Sequence, residues 1–225
     1  DLPDGVTSRR AMLGGIGTVL AGSGIVYGAS TLESDQQATA AQAPLHASSE
    51  TTGFGIDLQG HPIMGSSEAA VDMYYWSDYQ CPFCRRFERN AFQKLRENQV
   101  ESGDLRVVFI EFPYLEPSSM TAAVMDRCVW RQVQEGGPRA YWRWHTAVFD
   151  AQDTDNEEWA SKENLLDITA GVDGVDASAV ESCMSEHGGE IEASIETDLD
   201  QASAYGISGT PAFVLYNREA DAAGK

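Results

Sequence analysis

The feature that most constrains this chain is a pair of cysteines two residues apart, Cys81-Pro82-Phe83-Cys84, standing between a strand-like run and a helix-like run. Ahead of it, residues 70–76 are dense in aromatic and branched side chains and read as a buried strand that turns at Ser77-Asp78-Tyr79-Gln80. Behind it, Phe83, Phe87, Ala91 and Leu95 recur every fourth residue, with Arg85, Arg86, Glu88, Arg89, Gln93 and Lys94 on the other face. This spacing predicts an amphipathic helix over residues 82–100 with the first group inward. Leu105 to Phe112 reads as a second buried strand, closed by Pro113. The unit is β-α-β, with the cysteines where its helix begins.

That placement gives the tetrapeptide a chemistry. Cys81 falls at the helix cap and Pro82 at the first helical position, where its missing N–H costs nothing. Unpaired amide N–H groups and the positive end of the helix dipole then face the Cys81 sulfur and favour its thiolate, the nucleophile of disulfide exchange. Cys84, one turn on, can close a small disulfide ring or resolve a mixed disulfide formed on Cys81. Three other readings compete. A c-type haem site requires His after the second cysteine, where this chain has Arg85. A structural zinc site requires four ligands, and Cys128, Cys183 and four scattered histidines form no second paired motif. Two plain core cysteines leave the strand-to-helix placement unexplained. Redox exchange is the reading adopted, and it calls for no cofactor and no metal.

Gly209-Thr210-Pro211 lies some 125 residues later, directly before the strand-like run 212–216. By itself a Thr-Pro pair reads as an ordinary turn. In a chain with the redox motif, this placement predicts a cis Thr210–Pro211 bond whose backbone groups can pair with an extended peptide beside Cys81.

The intervening residues 117–205 contain no convincing strand and are predicted to form five helices. One starts at Pro117-Ser118-Ser119 and stops at Gly136-Gly137-Pro138; the next places Tyr141, Trp144 and Val148 on one face. Ser161 caps a third, before Leu165, Leu166 and Ile168. Asp176 caps a fourth, with Val175 and Val180 as a hydrophobic staple. The fifth runs from Glu190 to Gly206 with Ile191, Ile195, Leu199 and Ala202 inward. At the other end, folded sequence is expected to begin near Phe54, with residues 54–58 as an edge strand. Residues 32–53 are poor in anything to bury and read as a flexible linker.

Residues 1–31 carry Ser8-Arg9-Arg10-Ala11 and then an uncharged, Gly-rich stretch with small residues near Gly28-Ala29-Ser30. This is the pattern of a twin-arginine export signal, which is also long enough to anchor the chain if it is left uncleaved. The protein is therefore expected outside the cytosol, secreted or membrane-anchored. Fifteen Lys and Arg against 35 Asp and Glu give a net charge of −20, and the only lysines are Lys94, Lys162 and Lys225. Such a field repels nucleic acid and anionic membrane surfaces, so neither is an expected partner. An acidic, lysine-poor composition resembles that of proteins from salt-loving microbes.

The residues 74–84 (Tyr-Tyr-Trp-Ser-Asp-Tyr-Gln-Cys-Pro-Phe-Cys), Glu111-Phe112-Pro113, the helical stretch and Gly209-Thr210-Pro211 together resemble the DsbA family of thiol-disulfide oxidoreductases. The likeness covers residues 54–217. It implies an α/β, thioredoxin-like fold over residues 54–225 with an inserted all-helical subdomain at about 117–205. It further implies Cys81 as nucleophile, Cys84 as its partner, and Thr210 and Pro211 at the catalytic site with Pro211 as the cis-proline. The implied substrates are thiol-containing exported proteins, and the implied reoxidant is a membrane redox partner. Many members of the family place an acidic residue six positions before the nucleophile. This chain has Tyr75 there, and Glu111 and Asp78 are the candidate substitutes. The fold also implies one more strand and a closing helix, so the sequence is expected to be incomplete beyond Lys225.

Cys128 and Cys183 each fall on a predicted insertion helix, and two readings are open: buried free thiols, or a structural Cys128–Cys183 disulfide as export permits. Arg85, Arg86 and Arg89 form a basic cluster behind Cys81, read first as a solvated face and second as support for the thiolate. His145 is read as a packing residue. A monomeric dithiol oxidase is the leading function. A reductase or isomerase on the same fold is its alternative, since direction depends on the relative stability of the two redox forms; a non-catalytic chaperone or binding module is a further one.

Overall fold

A computed structural model describes residues 43–52, 54–153 and 158–224. The expected export segment 1–31 and the start of the expected linker lie outside the described residues. Among the described residues no helix is long and apolar enough to cross a membrane.

The strands are β1 (Leu45–His46), β2 (Ile63–Met64), β3 (Val71–Ser77), β4 (Leu105–Glu111), β5 (Ala212–Asn217) and β6 (Ala222–Gly224). They form one sheet in the order β1-β2-β4-β3-β5-β6. β3 lies at its centre, parallel to β4 with Tyr75 opposite Phe109, and antiparallel to β5 with Tyr75 opposite Phe213. Successive side chains of a strand point to opposite faces, and here both faces are covered. Met73, Tyr75, Val107 and Phe109 enter one core with the helices, while Tyr74, Trp76, Val108 and Ile110 enter a second with Ile56, Leu58, Ala202 and Val214. This is why β3 and β4 read as continuous apolar runs. Asp72 and Arg106, opposite each other across β3 and β4, are both buried and are joined at 2.6 Å.

Three boundaries differ from the sequence expectation. The sheet begins at Leu45, inside the expected linker, where Ala43 and Leu45 are buried against the helical core. Residues 54–58 form no strand and supply Ile56 and Leu58 to the second core from an irregular segment. β2 takes the place next to β4, and Gly65 permits its approach: at φ +122°, a Cβ there would lie 2.7 Å from the Leu105 carbonyl oxygen. Two-residue strands are too short to show an alternation. The further strand that the resemblance implies, expected only beyond Lys225, lies within the sequence as β6, antiparallel to β5.

Helix α1 covers residues 82–100, with α turns at Pro82–Arg86 and Phe92–Leu95 and wider π turns at Phe87–Ala91 and Arg96–Val100. Its inward face is one residue out of phase with the expected one. Cys84, Glu88 and Phe92 are buried and Phe87 and Leu95 partly so, whereas Phe83 is 59% exposed and Ala91 is on the surface. Periodicity places Glu88 on the solvent face, and the fold buries it to 5% exposure. A polar residue can occupy the inward stripe only when it is partnered. Here the partner is His145, too distant in sequence for periodicity to reveal.

Among the described residues the insertion has four helices, not five: α2 (Pro117–Val133), α3 (Arg139–Ala151), α4 (Lys162–Ala170) and α5 (Ala177–Ala204). Ser161 caps α4 by accepting from the Asn164 N–H, and Asp176 caps α5 by accepting from Ser178 and Ala179. The two helices expected on either side of Gly188-Gly189 are one. A glycine in a helix costs roughly 1 kcal/mol relative to alanine, which the burial of Val180, Ile191, Ile195 and Ala202 on one continuous face outweighs at about 1.5–3 kcal/mol for each large side chain. Of the two readings for the remaining cysteines, the structure bonds Cys128 of α2 to Cys183 of α5, with Cα atoms 5.8 Å apart.

Candidate active site

The turn after β3 is built by one aspartate. The Asp78 carboxylate accepts from the Gln80 N–H at 2.8 Å, and its backbone carbonyl accepts from the Cys81 N–H at 2.9 Å. The second carboxylate oxygen accepts from the amides of Tyr114 and Leu115, so the segment after β4 is held beside the cysteines. Gln152 at the end of α3 donates to the Tyr79 carbonyl at 2.7 Å, and Gln80 donates to Ser119 of α2 at 3.0 Å. Sheet and insertion thus share one turn, and Cys81 stands where it ends.

Cys81 is the cap residue of α1, extended at φ −76° and ψ 116°, with Pro82 in the first turn. Cys81 and Cys84 are free thiols and both are buried. The cis Thr210–Pro211 bond lies against them, and the Cys81 Sγ is 3.3 Å from the Thr210 carbonyl oxygen. The hydrogen bond from the Cys84 thiol holds the Cys81 pKa down, from an ordinary 9.0 to about 6; burial opposes this, while Thr210 and the amides of Cys84 and Phe83 reinforce it. Cys84 goes the other way. Burial first, and then its service as donor to Cys81, push its pKa far up, so it remains a thiol. A thiol poised to ionise and a proton-holding one therefore share one helical turn. Phe83, Tyr114 and Leu115 are exposed large apolar side chains, all close in sequence to this turn or held to it by Asp78.

The two expected substitutes for a buried acid are otherwise occupied. Glu111 accepts from Arg127 Nε at 2.6 Å, and Arg127 also donates to Asp198 at 2.8 Å. The Asp78 carboxylate is taken by the three amides. Sequence reasoning missed the carboxylate that does lie beneath the cysteines, Glu88. Its Oε1 is 3.3 Å from His145 Nε2, and His145 Nδ1 is 2.7 Å from the Tyr79 hydroxyl. That hydroxyl and the Tyr141 hydroxyl both donate to Asp126, whose carboxyl is pushed well above its ordinary range by burial and then by the charge of Glu111. His145 also stacks on Trp142, so it packs as expected and bonds in addition. The basic cluster is partly tied down: Arg89 pairs with Asp150, Arg85 donates to the Asp150 carbonyl, and Arg86 lies over the Phe83 ring. Among the described residues no group of three or more His, Cys, Asp or Glu is placed to hold a metal ion.

The family model described as Thioredoxin matches residues 57–224. A probable disulfide bond formation protein D of Bacillus anthracis is 26% identical over 149 residues, covering 66% of each chain. Disulfide bond formation protein D of Bacillus subtilis is 22% identical over 161 residues, 72% of this chain and 70% of that one. The matched stretch thus spans about two thirds of these relatives' own length. Among solved structures, oxidised BdbD from Bacillus subtilis superposes with a TM-score of 0.63 at 23% identity, over 80% of this chain and 90% of that one.

Proposed function

Since the chain belongs to the thioredoxin family, in its DsbA-like branch of thiol-disulfide oxidoreductases, we propose that it acts as a dithiol oxidase giving its Cys81–Cys84 disulfide to exported proteins. The observation that carries the direction is the opposed titration of the two thiols. A Cys81 thiolate stabilised in the reduced form makes that form the favoured one and the disulfide a strong donor.

The exchange follows from the site. A substrate thiolate attacks Cys81 Sγ of the disulfide, a substrate–Cys81 disulfide forms, and Cys84 leaves with the electron pair and takes up a proton. A second substrate thiolate then attacks the substrate sulfur of the mixed disulfide; Cys81 departs as thiolate, and the substrate holds the new disulfide. Two electrons have passed to the protein, which a disulfide-bearing membrane partner would remove. The Thr210 backbone carbonyl beside Cys81 supports pairing with a substrate strand, and Phe83, Tyr114 and Leu115 suit the apolar side chains of an unfolded one. We read residues 1–31 as the twin-arginine-type export signal that takes the chain out of the cytosol, a location that the Cys128–Cys183 disulfide also supports.

The deciding experiment is equilibration of the Cys81–Cys84 pair with glutathione. An oxidase is expected to lie nearer the roughly −120 mV of a strong donor than the roughly −270 mV of a thioredoxin. A value at the thioredoxin end would make the protein a reductase.

A further inference from the structure

Closing of the Cys81–Cys84 disulfide, when a disulfide partner reoxidises the protein, poses a problem of proton removal. The Cys81 thiolate attacks the partner's disulfide, forms a mixed disulfide and releases one partner thiolate. Cys84 must then lose its proton before its sulfur can attack Cys81 Sγ and expel the second. Yet Cys84 is fully buried, so its proton has to pass first to a group of the protein.

Few groups face Cys84. The Cys81 sulfur is engaged in the mixed disulfide, the Asp78 backbone N–H is a donor, and the Thr210 hydroxyl is no base. A further neighbour is Tyr75 of β3, at the position where many members of the family place an acid. Its hydroxyl is buried between Cys84 and the Glu88 carboxylate without a well-formed hydrogen bond to either. Buried hydroxyls are ordinarily bonded, and this one is open on both sides, towards a proton donor and a proton acceptor. Glu88 in turn faces Tyr75 from β3 and His145 from α3, and His145 continues to Tyr79 and Asp126.

We propose that Tyr75 and Glu88 form the relay that deprotonates Cys84, the Tyr75 hydroxyl accepting the thiol proton as it passes its own to Glu88. The balance is simple: Cys84 thiol and Glu88 carboxylate become Cys84 thiolate and Glu88 carboxylic acid. The thiolate then forms the sulfur–sulfur bond to Cys81 while the partner thiolate leaves. His145 and the hydroxyls behind it hold Glu88 in place and offer the proton a way onward. In the oxidising half of the cycle the same path returns a proton to Cys84 as it leaves Cys81.

The inference rests on the exchange chemistry proposed above. The test is to mix reduced protein with excess oxidised glutathione, quench with acid, and follow by mass the conversion of the glutathionylated species into the closed disulfide, across pH. Tyr75→Phe removes one oxygen that holds no bond, so the fold should stand, as its thermal midpoint will show. Closing is expected to slow by at least about tenfold, towards the roughly 10²–10⁴-fold that positioned acid–base groups contribute, with Cys81 alkylation unchanged. Glu88→Gln should match that loss, and the double variant should be no slower than either, as for links in series. A wild-type closing rate in Tyr75→Phe overturns the proposal. Absence of any glutathionylation or closure in the wild-type protein is a separate result, one that removes the oxidoreductase reading itself and this relay with it.

Discussion

The Cys81 Sγ lies 3.3 Å from the carbonyl oxygen of Thr210, a residue 129 positions later in the chain. Between them the described residues build α1, β4 and the four insertion helices, and the chain then returns to the same spot. The contact brings the end of one segment against the start of another, and the chemistry of the site depends on both.

Cys81 should react as a thiolate at neutral pH. Its alkylation rate is expected to rise with pH around a midpoint near 6, while Cys84 stays unreactive over the same range. Iodoacetamide labelling of the reduced protein, with each site read by mass, measures both. A Cys81 midpoint at the ordinary 9.0 would remove the nucleophile assignment.

The stability difference between the two redox forms should depend on pH in a calculable direction. Cys81 has a folded pKa below its unfolded value, so its contribution is fully present above 9.0 and is lost as pH falls through about 6. Cys84 has a folded pKa above its unfolded value, so its contribution is present below the ordinary thiol range and is lost as pH rises beyond it. The reduced form is therefore expected to gain on the oxidised form from pH 6 to 9 and to lose that gain above. Urea midpoints of both forms at several pH values decide it, and a monotonic fall across this window would contradict the assigned shifts.

Replacing Cys128 and Cys183 together by Ala should destabilise the insertion without disarming the site. The bridge closes a loop of 55 residues, and losing such a link costs about 2–5 kcal/mol. The unfolding midpoint should drop while the Cys81 alkylation profile stays in place. A shifted profile would show that the bridge also positions the active-site turn.

Arg127→Ala should be among the most damaging single substitutions. It leaves Glu111 and Asp198 without the cation that joins them, and breaking a buried pair in this way costs about 3–5 kcal/mol. Adding Glu111→Gln to it is expected to recover part of the loss in chemical denaturation, since one uncompensated charge is removed. No recovery would mean that the arginine acts through packing.

What the sequence by itself determined was whatever depends on neighbours within a few positions. Cys81 at a helix cap with Pro82 behind it, the apolar density of residues 70–76 and 105–112, and the capping side chains of Ser161 and Asp176 are all short-range signals, and each marks an element whose bounds agree to within a residue or so. The tertiary structure decided the rest. It rotated the inward face of α1 onto Cys84, Glu88 and Phe92, because Glu88 could be buried only where His145, 57 residues away, was brought to meet it. It carried α5 through two glycines by giving that helix a continuous surface to cover, and chose the disulfide over two free thiols for Cys128 and Cys183. It also made strands of two residue pairs that no alternation marks, because a sheet edge was there to receive them. Local backbone preference and periodicity can announce a helix start or a buried strand. Which partner satisfies a buried polar group is settled only when distant segments pack together, and in this protein the groups so settled are those beneath the reactive sulfurs.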